Sequence, residues 1–205
     1  YIETLLEQPH ITPDKQHFFL ERTHSQIVRL SDLIRDIALI TKTEEASELF
    51  DKEQVNVHNT LQEVINDLHS PIVAHGINVK NEINPQTVIE GNKTLVYAIL
   101  RNLIENSINY AGDHISIGVN NYMEDKEFYY FSYYDTGQGI EENHLNRIFE
   151  RFYRVCEGRS RQNGGSGLGL SIVKNAVLFH KGDISAKNRK DGGLEFLFSL
   201  KKTLF

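Results

Sequence analysis

Leu20, Thr23, Ile27, Leu30, Ile34, Ile37 and Thr41 recur at alternating spacings of three and four. That is the seam of a coiled coil or helix bundle, and it predicts a helix over about 14–43. Val28, Leu33 and Ile40 widen the apolar face beyond a two-helix seam. Ahead of it, "YIETLLEQ" reads as a short helix end, and Pro9 and Pro13 forbid a continuous helix between the two. A lone helical hairpin leaves so wide a stripe uncovered, which predicts a four-helix bundle made by pairing two chains. Packing of the hairpin on the remainder of its own chain is the alternative.

The polar, acidic stretch "TEEASELFDKE" ends the helical periodicity. A hairpin over 1–45, a linker over 46–54 and a second domain over 55–205 are therefore expected. In that domain the patterns predict strand ("VNV"), helix (about 58–75), strand ("INVKNEI"), strand ("TVIEG") and helix (about 93–110). Two longer strands follow, "HISIGVNNYM" and "EFYYFSYYD", then a short helix near 142–147 and a helix near 168–180. The hairpin from "GDISAKN" to "GLEFLFSL" closes the order. Strands grouped against three helices predict an α+β fold, a two-layer α/β sandwich with helices on one face of a mixed sheet.

Composition narrows the function more than the fold. Of 205 residues, 40% are apolar and 24% charged, as in ordinary globular proteins. A net charge of −6 provides no broad basic surface, which disfavours nucleic acid as a main partner. Cys156 stands alone, so neither a disulfide nor a cysteine metal cluster can form within one chain. No stretch approaches the roughly 18 apolar residues of a membrane span, and no signal peptide opens the sequence. Tyr1 runs directly into a helical pattern without an N-cap, which reads as a fragment whose start lies upstream.

The candidate chemistry lies in three places. In "LRNLIENSINYA", Asn102, Asn106 and Asn109 share one helix side, with Glu105 adjacent, Tyr110 at the end, and Leu100, Leu103, Ile104 and Ile108 on the buried side. Asparagine contributes little to a helix, yet its side-chain oxygen can ligate Mg²⁺, so the alternatives are a metal-binding face and a solvated one. "DTGQGI" follows a strand ending in a carboxylate: Asp135 could accept from an exocyclic amine, while Gly137 and Gly139 would let a flat ring approach the backbone. A plain hairpin turn is the simpler reading there. "GGSGLGLS" opens a helix, where main-chain N–H groups form an anion site; Ser166 acting only as a helix cap is the alternative.

In this order the three motifs resemble those of the catalytic half of bacterial sensor histidine kinases, in the superfamily of gyrase B, Hsp90 and MutL. "LRNLIENSINYA" is similar to the N box, "DTGQGI" to the first glycine box, "IFERFYRV" to the F box and "GGSGLGLSIVK" to the second glycine box. "RLSDLIRDIALIT" resembles the second helix of the dimerisation and phosphotransfer domain. The resemblance implies a Bergerat-type ATP-binding fold with ATP and Mg²⁺ as ligands. Asn106 would bind Mg²⁺, Asn102 would lie beside the phosphates, Tyr110 near the adenine, and Asp135 would hold the adenine amine next to Gly137, Gly139 and Ile140. Gly165, Ser166, Gly167, Leu168 and Gly169 would frame the phosphates, Arg154 would reach the γ-phosphate, and Glu105 could orient or deprotonate the acceptor imidazole. Implied partners are a second copy of the chain and a response regulator receiver domain. The whole protein would be membrane-anchored, with this portion cytoplasmic.

"RFYRVCEGRSRQNG" then corresponds to an ATP lid. Ordering its eight loosest residues would cost on the order of 8–16 kcal/mol, against about 1.5–3 from each phosphate contact. The lid is expected to be mobile without nucleotide, with Phe149, Phe152 and Tyr153 packing to anchor its start. Two departures stand out. Asn109 occupies a position where the family commonly has Lys or Arg, and the phosphoacceptor motif is absent. His10, His17, His24, His58, His69, His75, His114, His144 and His180 show neither that motif nor metal-ligand spacing, and surface positions are expected for them. Two rival functions are an ATP-driven conformational ATPase, with Glu105 activating water, and a non-catalytic dimerisation and nucleotide-sensing module.

Overall fold

The computed structural model describes residues 1–7, 11–45, 48, 50–155 and 166–203. The chain divides into two compact units, Tyr1–Leu39 and Ile40–Phe205. The first holds α1 (Ile2–Glu7) and most of α2 (Pro13–Glu45). Within it Tyr1 stacks on Phe19, with ring centroids 5.3 Å apart. The seam residues Leu20, Ile27, Leu30, Ile34 and Ile37 are between 48% and 61% exposed.

The second unit is the α+β sandwich. Its elements are β1 (Glu53–Asn56), α3 (Val57–Asp67), α4 (His69–Ala74), β2 (Asn78–Glu82), β3 (Val88–Gly91) and α5 (Lys93–Tyr110). They continue with β4 (Ser116–Glu124), β5 (Phe128–Asp135), α6 (Glu142–Leu145), α7 (Gly169–Phe179), β6 (Ile184–Asn188) and β7 (Leu194–Lys201). Five strands form a mixed sheet in the order β2-β4-β5-β7-β6, parallel only between β2 and β4. β1 and β3 form a separate antiparallel pair.

Alternation along the strands sets the layers. Val119 faces Tyr133, which faces Phe196, and this row is buried beneath the helices. α5 lies between α3 and α7 and buries Leu95, Ile99, Leu100, Leu103 and Ile104. Each such side chain contributes about 1.5–3 kcal/mol by leaving water. The helix expected over 58–75 is interrupted at Leu68, whose φ and ψ are −95° and 12°. Pro71 supplies the reason: it has no N–H to donate, and its ring crowds the carbonyl four residues back.

His180 is a correction to the expected surface histidines. It is fully buried, Nδ1 lies 2.7 Å from the Ala176 carbonyl, and Nε2 accepts the Asn92 N–H at 3.1 Å. Burial lowers its pKa from 6.5 to about 4, so the ring is neutral. His17, His24, His69, His75 and His114 are exposed, and His58 and His144 half-buried; His10 lies outside the described residues.

Candidate nucleotide site

α5 is the axis of the site. Asn92 caps it, its side-chain oxygen accepting from the Leu95 N–H at 3.1 Å. Asn102 is half-buried and donates back to the Ala98 carbonyl at 2.8 Å. Asn106, one turn on, is half-buried, and among the described residues its amide has no hydrogen-bond partner. Asn109 and Tyr110 are exposed. Glu105 accepts from Arg101 Nε at 2.9 Å, an i,i+4 pair on the helix surface.

β5 delivers Asp135 to this helix. The residue is only 4% exposed, and Oδ1 accepts from the Gly137 N–H at 2.9 Å and the Leu194 N–H at 3.3 Å. Oδ2 accepts from Ser107 Oγ at 3.1 Å, which fixes the carboxylate to α5. The following turn then folds onto the C-terminal end of α5. A Cβ on Gly137 would stand 2.5 Å from the Ala111 carbonyl oxygen, and one on Gly139, where φ is +68°, would stand 2.6 Å from Asn188 Oδ1. The glycines are thus demanded by contact with the protein's own chain. Asn188 spans the same turn, its Oδ1 accepting the Ile140 N–H at 3.0 Å and its Nδ2 donating to the Ile140 carbonyl at 2.7 Å.

The second glycine turn meets α5 at its other half. A Cβ on Gly169 would stand 2.8 Å from Asn102 Oδ1. Gly167 has φ of +73° and lies against the Phe152 main chain, whose N–H donates to its carbonyl at 2.9 Å. Ser166 does not cap α7: its Oγ accepts from Leu168 N–H at 3.1 Å, and Leu168, the capping position, makes no side-chain cap. The first N–H groups of α7 therefore have no side-chain cap to satisfy them.

At the start of the expected lid, Phe149 packs edge-on against Phe196, and Tyr153 meets His144 Nδ1 at 2.6 Å beneath the Arg147 guanidinium. Phe152 is a correction: its left-handed backbone (φ 62°), tied to Gly167, leaves the ring 62% exposed rather than packed. Arg151 pairs with Glu44, which also accepts from Asn175 at 3.0 Å. Those donors, Arg151 foremost, hold the Glu44 carboxyl below its usual value. Arg154 is half-buried. The lid residues 157–164, Cys156 and Gly165 lie outside the described residues.

Asp135 and Gly137 thus touch the Ser107–Ala111 half of α5, and Gly169 touches Asn102, with Asn106 between. Asn102 and Ser107 are separated by about 7 Å of helix axis. Ser107, Tyr133, Asn188 and Leu194 belong to this site although no local pattern marked them. The three motif elements share one helix.

Residues 91–204 match the family described as histidine kinase-, DNA gyrase B-, and HSP90-like ATPase. The chain belongs to that family and carries its nucleotide-binding domain. Among curated proteins it is similar to the sensor histidine kinase WalK of Bacillus subtilis, at 30% identity over 98% of this chain and 33% of WalK. The phosphate regulon sensor protein PhoR of Pseudomonas aeruginosa is 28% identical, over 96% of this chain and 44% of PhoR. The chain spans a third to under half the length of these relatives. Among solved structures, the nucleotide-free catalytic domain of histidine kinase ThkA is 26% identical, covering 75% of this chain and 97% of that one, with a TM-score of 0.66. Histidine kinase AdeS of Acinetobacter baumannii shares the fold at 17% identity, 98% and 91% coverage, and a TM-score of 0.78. Among the described residues no helix is long and apolar enough to cross a membrane.

Proposed function

We propose that residues 1–205 are the ATP-binding region and part of the phosphotransfer region of a two-component sensor histidine kinase. The observation that carries this reading is the meeting of Asp135, the Asn102 and Asn106 face, and Gly169 along α5. Asp135 accepts from the adenine amine, Gly137, Gly139 and Ile140 shape the wall beside the base, and Tyr110 lies near it. Asn102, with the 166–169 turn and the uncapped start of α7, surrounds the phosphates.

The residues present fit Mg²⁺: Asn106 offers a half-buried amide oxygen for which no described group competes. The ion would neutralise charge on the phosphates and align the γ-phosphoryl. Arg154 meets the γ-phosphate, and Glu105, which accepts from Arg101 Nε, orients or deprotonates the acceptor imidazole. No histidine in the sequence is followed by an acidic residue, so the acceptor is assigned to a histidine outside residues 1–205. The phosphoryl then passes to an aspartate of a response regulator receiver domain. The exposed stripe of α2 pairs two copies in a four-helix bundle, and the chain is the cytoplasmic portion of a membrane-anchored protein.

Calorimetric titration of MgATP tests the metal assignment. Asn106→Ala should weaken binding about tenfold or more, the worth of one charge-assisted contact. Equal affinities for the two proteins would remove Asn106 as the metal ligand.

A further inference from the structure

Behind Asp135 lie two buried polar side chains that the reading above does not use. Ser107 is 1% exposed and Tyr133 fully buried. Tyr133 Oη is 2.8 Å from Ser107 Oγ and 2.9 Å from the Leu103 carbonyl oxygen, and Ser107 Oγ is 3.1 Å from Asp135 Oδ2. A serine hydroxyl has one proton to give. Directed at Tyr133, it would leave bare lone pairs on Ser107 facing a carboxylate in a buried setting, where unmatched polar groups are most costly. The arrangement that gives Asp135 its donor runs one way: Ser107 donates to Asp135, and the single Tyr133 proton lies between Ser107 Oγ and the Leu103 carbonyl, which share it. Burial, with the nearby Asp135 charge, holds the Tyr133 phenol well above its ordinary pKa, so it stays a donor.

The other carboxylate oxygen is occupied by the Gly137 and Leu194 N–H groups. Of roughly four acceptor sites on a carboxylate, three are therefore filled. The terminal torsion of an aspartate is broad when unconstrained; here donors on both oxygens fix its plane. The remaining site, on Oδ2, can only accept.

We infer that Ser107 and Tyr133 are positioning residues that lock Asp135 as a fixed acceptor and so select 6-aminopurine over 6-oxopurine nucleotides. This rests on the assignment of Asp135 to the base. An amine at the 6-position supplies the missing donor, whereas an oxo group sets a second acceptor against a carboxylate that is not free to turn away.

The test titrates MgATP and MgGTP into the chain and its variants. Ser107→Ala should weaken ATP about tenfold and lower the ATP-over-GTP ratio by a similar factor, and Tyr133→Phe should lower that ratio about threefold. Ser107→Thr, which restores the hydroxyl, should recover most of both. Asp135→Asn should abolish the preference. If Ser107→Ala and Tyr133→Phe lower Tm but keep the wild-type ratio while Asp135→Asn loses it, the inference is overturned and the base assignment stands. If Asp135→Asn also keeps the ratio, the base assignment fails and the inference with it.

Discussion

The Nε2 of His180 accepts the main-chain N–H of Asn92 at 3.1 Å, joining the end of α7 to the cap of α5. Its Nδ1 lies 2.7 Å from the Ala176 carbonyl, so the neutral ring donates at one nitrogen and accepts at the other. Protonation would place a second N–H against the Asn92 donor.

A stability change with pH follows, with a definite sign. The folded pKa is about 4 against 6.5 unfolded, so between these values the unfolded chain binds the extra proton. The contribution of His180 is complete above about pH 6.5 and is lost progressively toward pH 4, amounting to about 3 kcal/mol. Denaturant unfolding of the wild type and His180→Gln at pH 7, 5.5 and 4.5 reads this directly. The gap between the two proteins should shrink as pH falls; a constant gap would show that the imidazole does not titrate as its burial requires.

Asn188 holds both main-chain groups of Ile140 from the last position of β6. Asn188→Ala removes two half-buried hydrogen bonds and should cost about 1–3 kcal/mol of stability. ATP affinity should fall several-fold as the turn after Asp135 loosens. Asn188→Asp is nearly isosteric but sets a carboxylate oxygen against the Ile140 carbonyl, so it should not rescue either quantity. Recovery by the aspartate would mean that side-chain volume, rather than the amide's donor, holds the turn.

Gly137 and Gly182 are both hemmed in by main chain, at different places. A Cβ on Gly137 meets Ala111, and one on Gly182 meets the Ser199 carbonyl. Alanine at either position should lower stability by about 1–3 kcal/mol through overpacking. Only Gly137→Ala should also weaken ATP, because only that turn carries Asp135. Matched Tm and titration measurements on the two variants separate fold from site, and equal loss of affinity would contradict the assignment of the turn.

The Asn face of α5 shows how much of the site was legible in advance. Its 3.6-residue period put Asn102 and Asn106 on one side and Leu100, Leu103 and Ile104 in the core, which is where they lie. The helix over 93–110 was readable from that same period, and its bounds are those the structure shows. Such patterns survive in one dimension since the interactions behind them span four residues or fewer.

Ser107, Tyr133, Asn188 and His180 left no such trace. Their decisive partners lie 28, 26, 48 and 88 residues away along the chain. A serine in a helix reads as a minor propensity cost and a tyrosine in a strand as ordinary packing, until the sheet and α5 meet and each buried hydroxyl must find a partner. The glycines followed the same rule: the sequence marked where the backbone needed freedom, and only the folded chain decided that Ala111, Asn102 and Phe152 were what it had to make room for. Local periodicity therefore determined the elements and the order of the motifs. The satisfaction of buried polar groups, a demand that exists only after distant segments have come together, determined which side chains hold the site in shape.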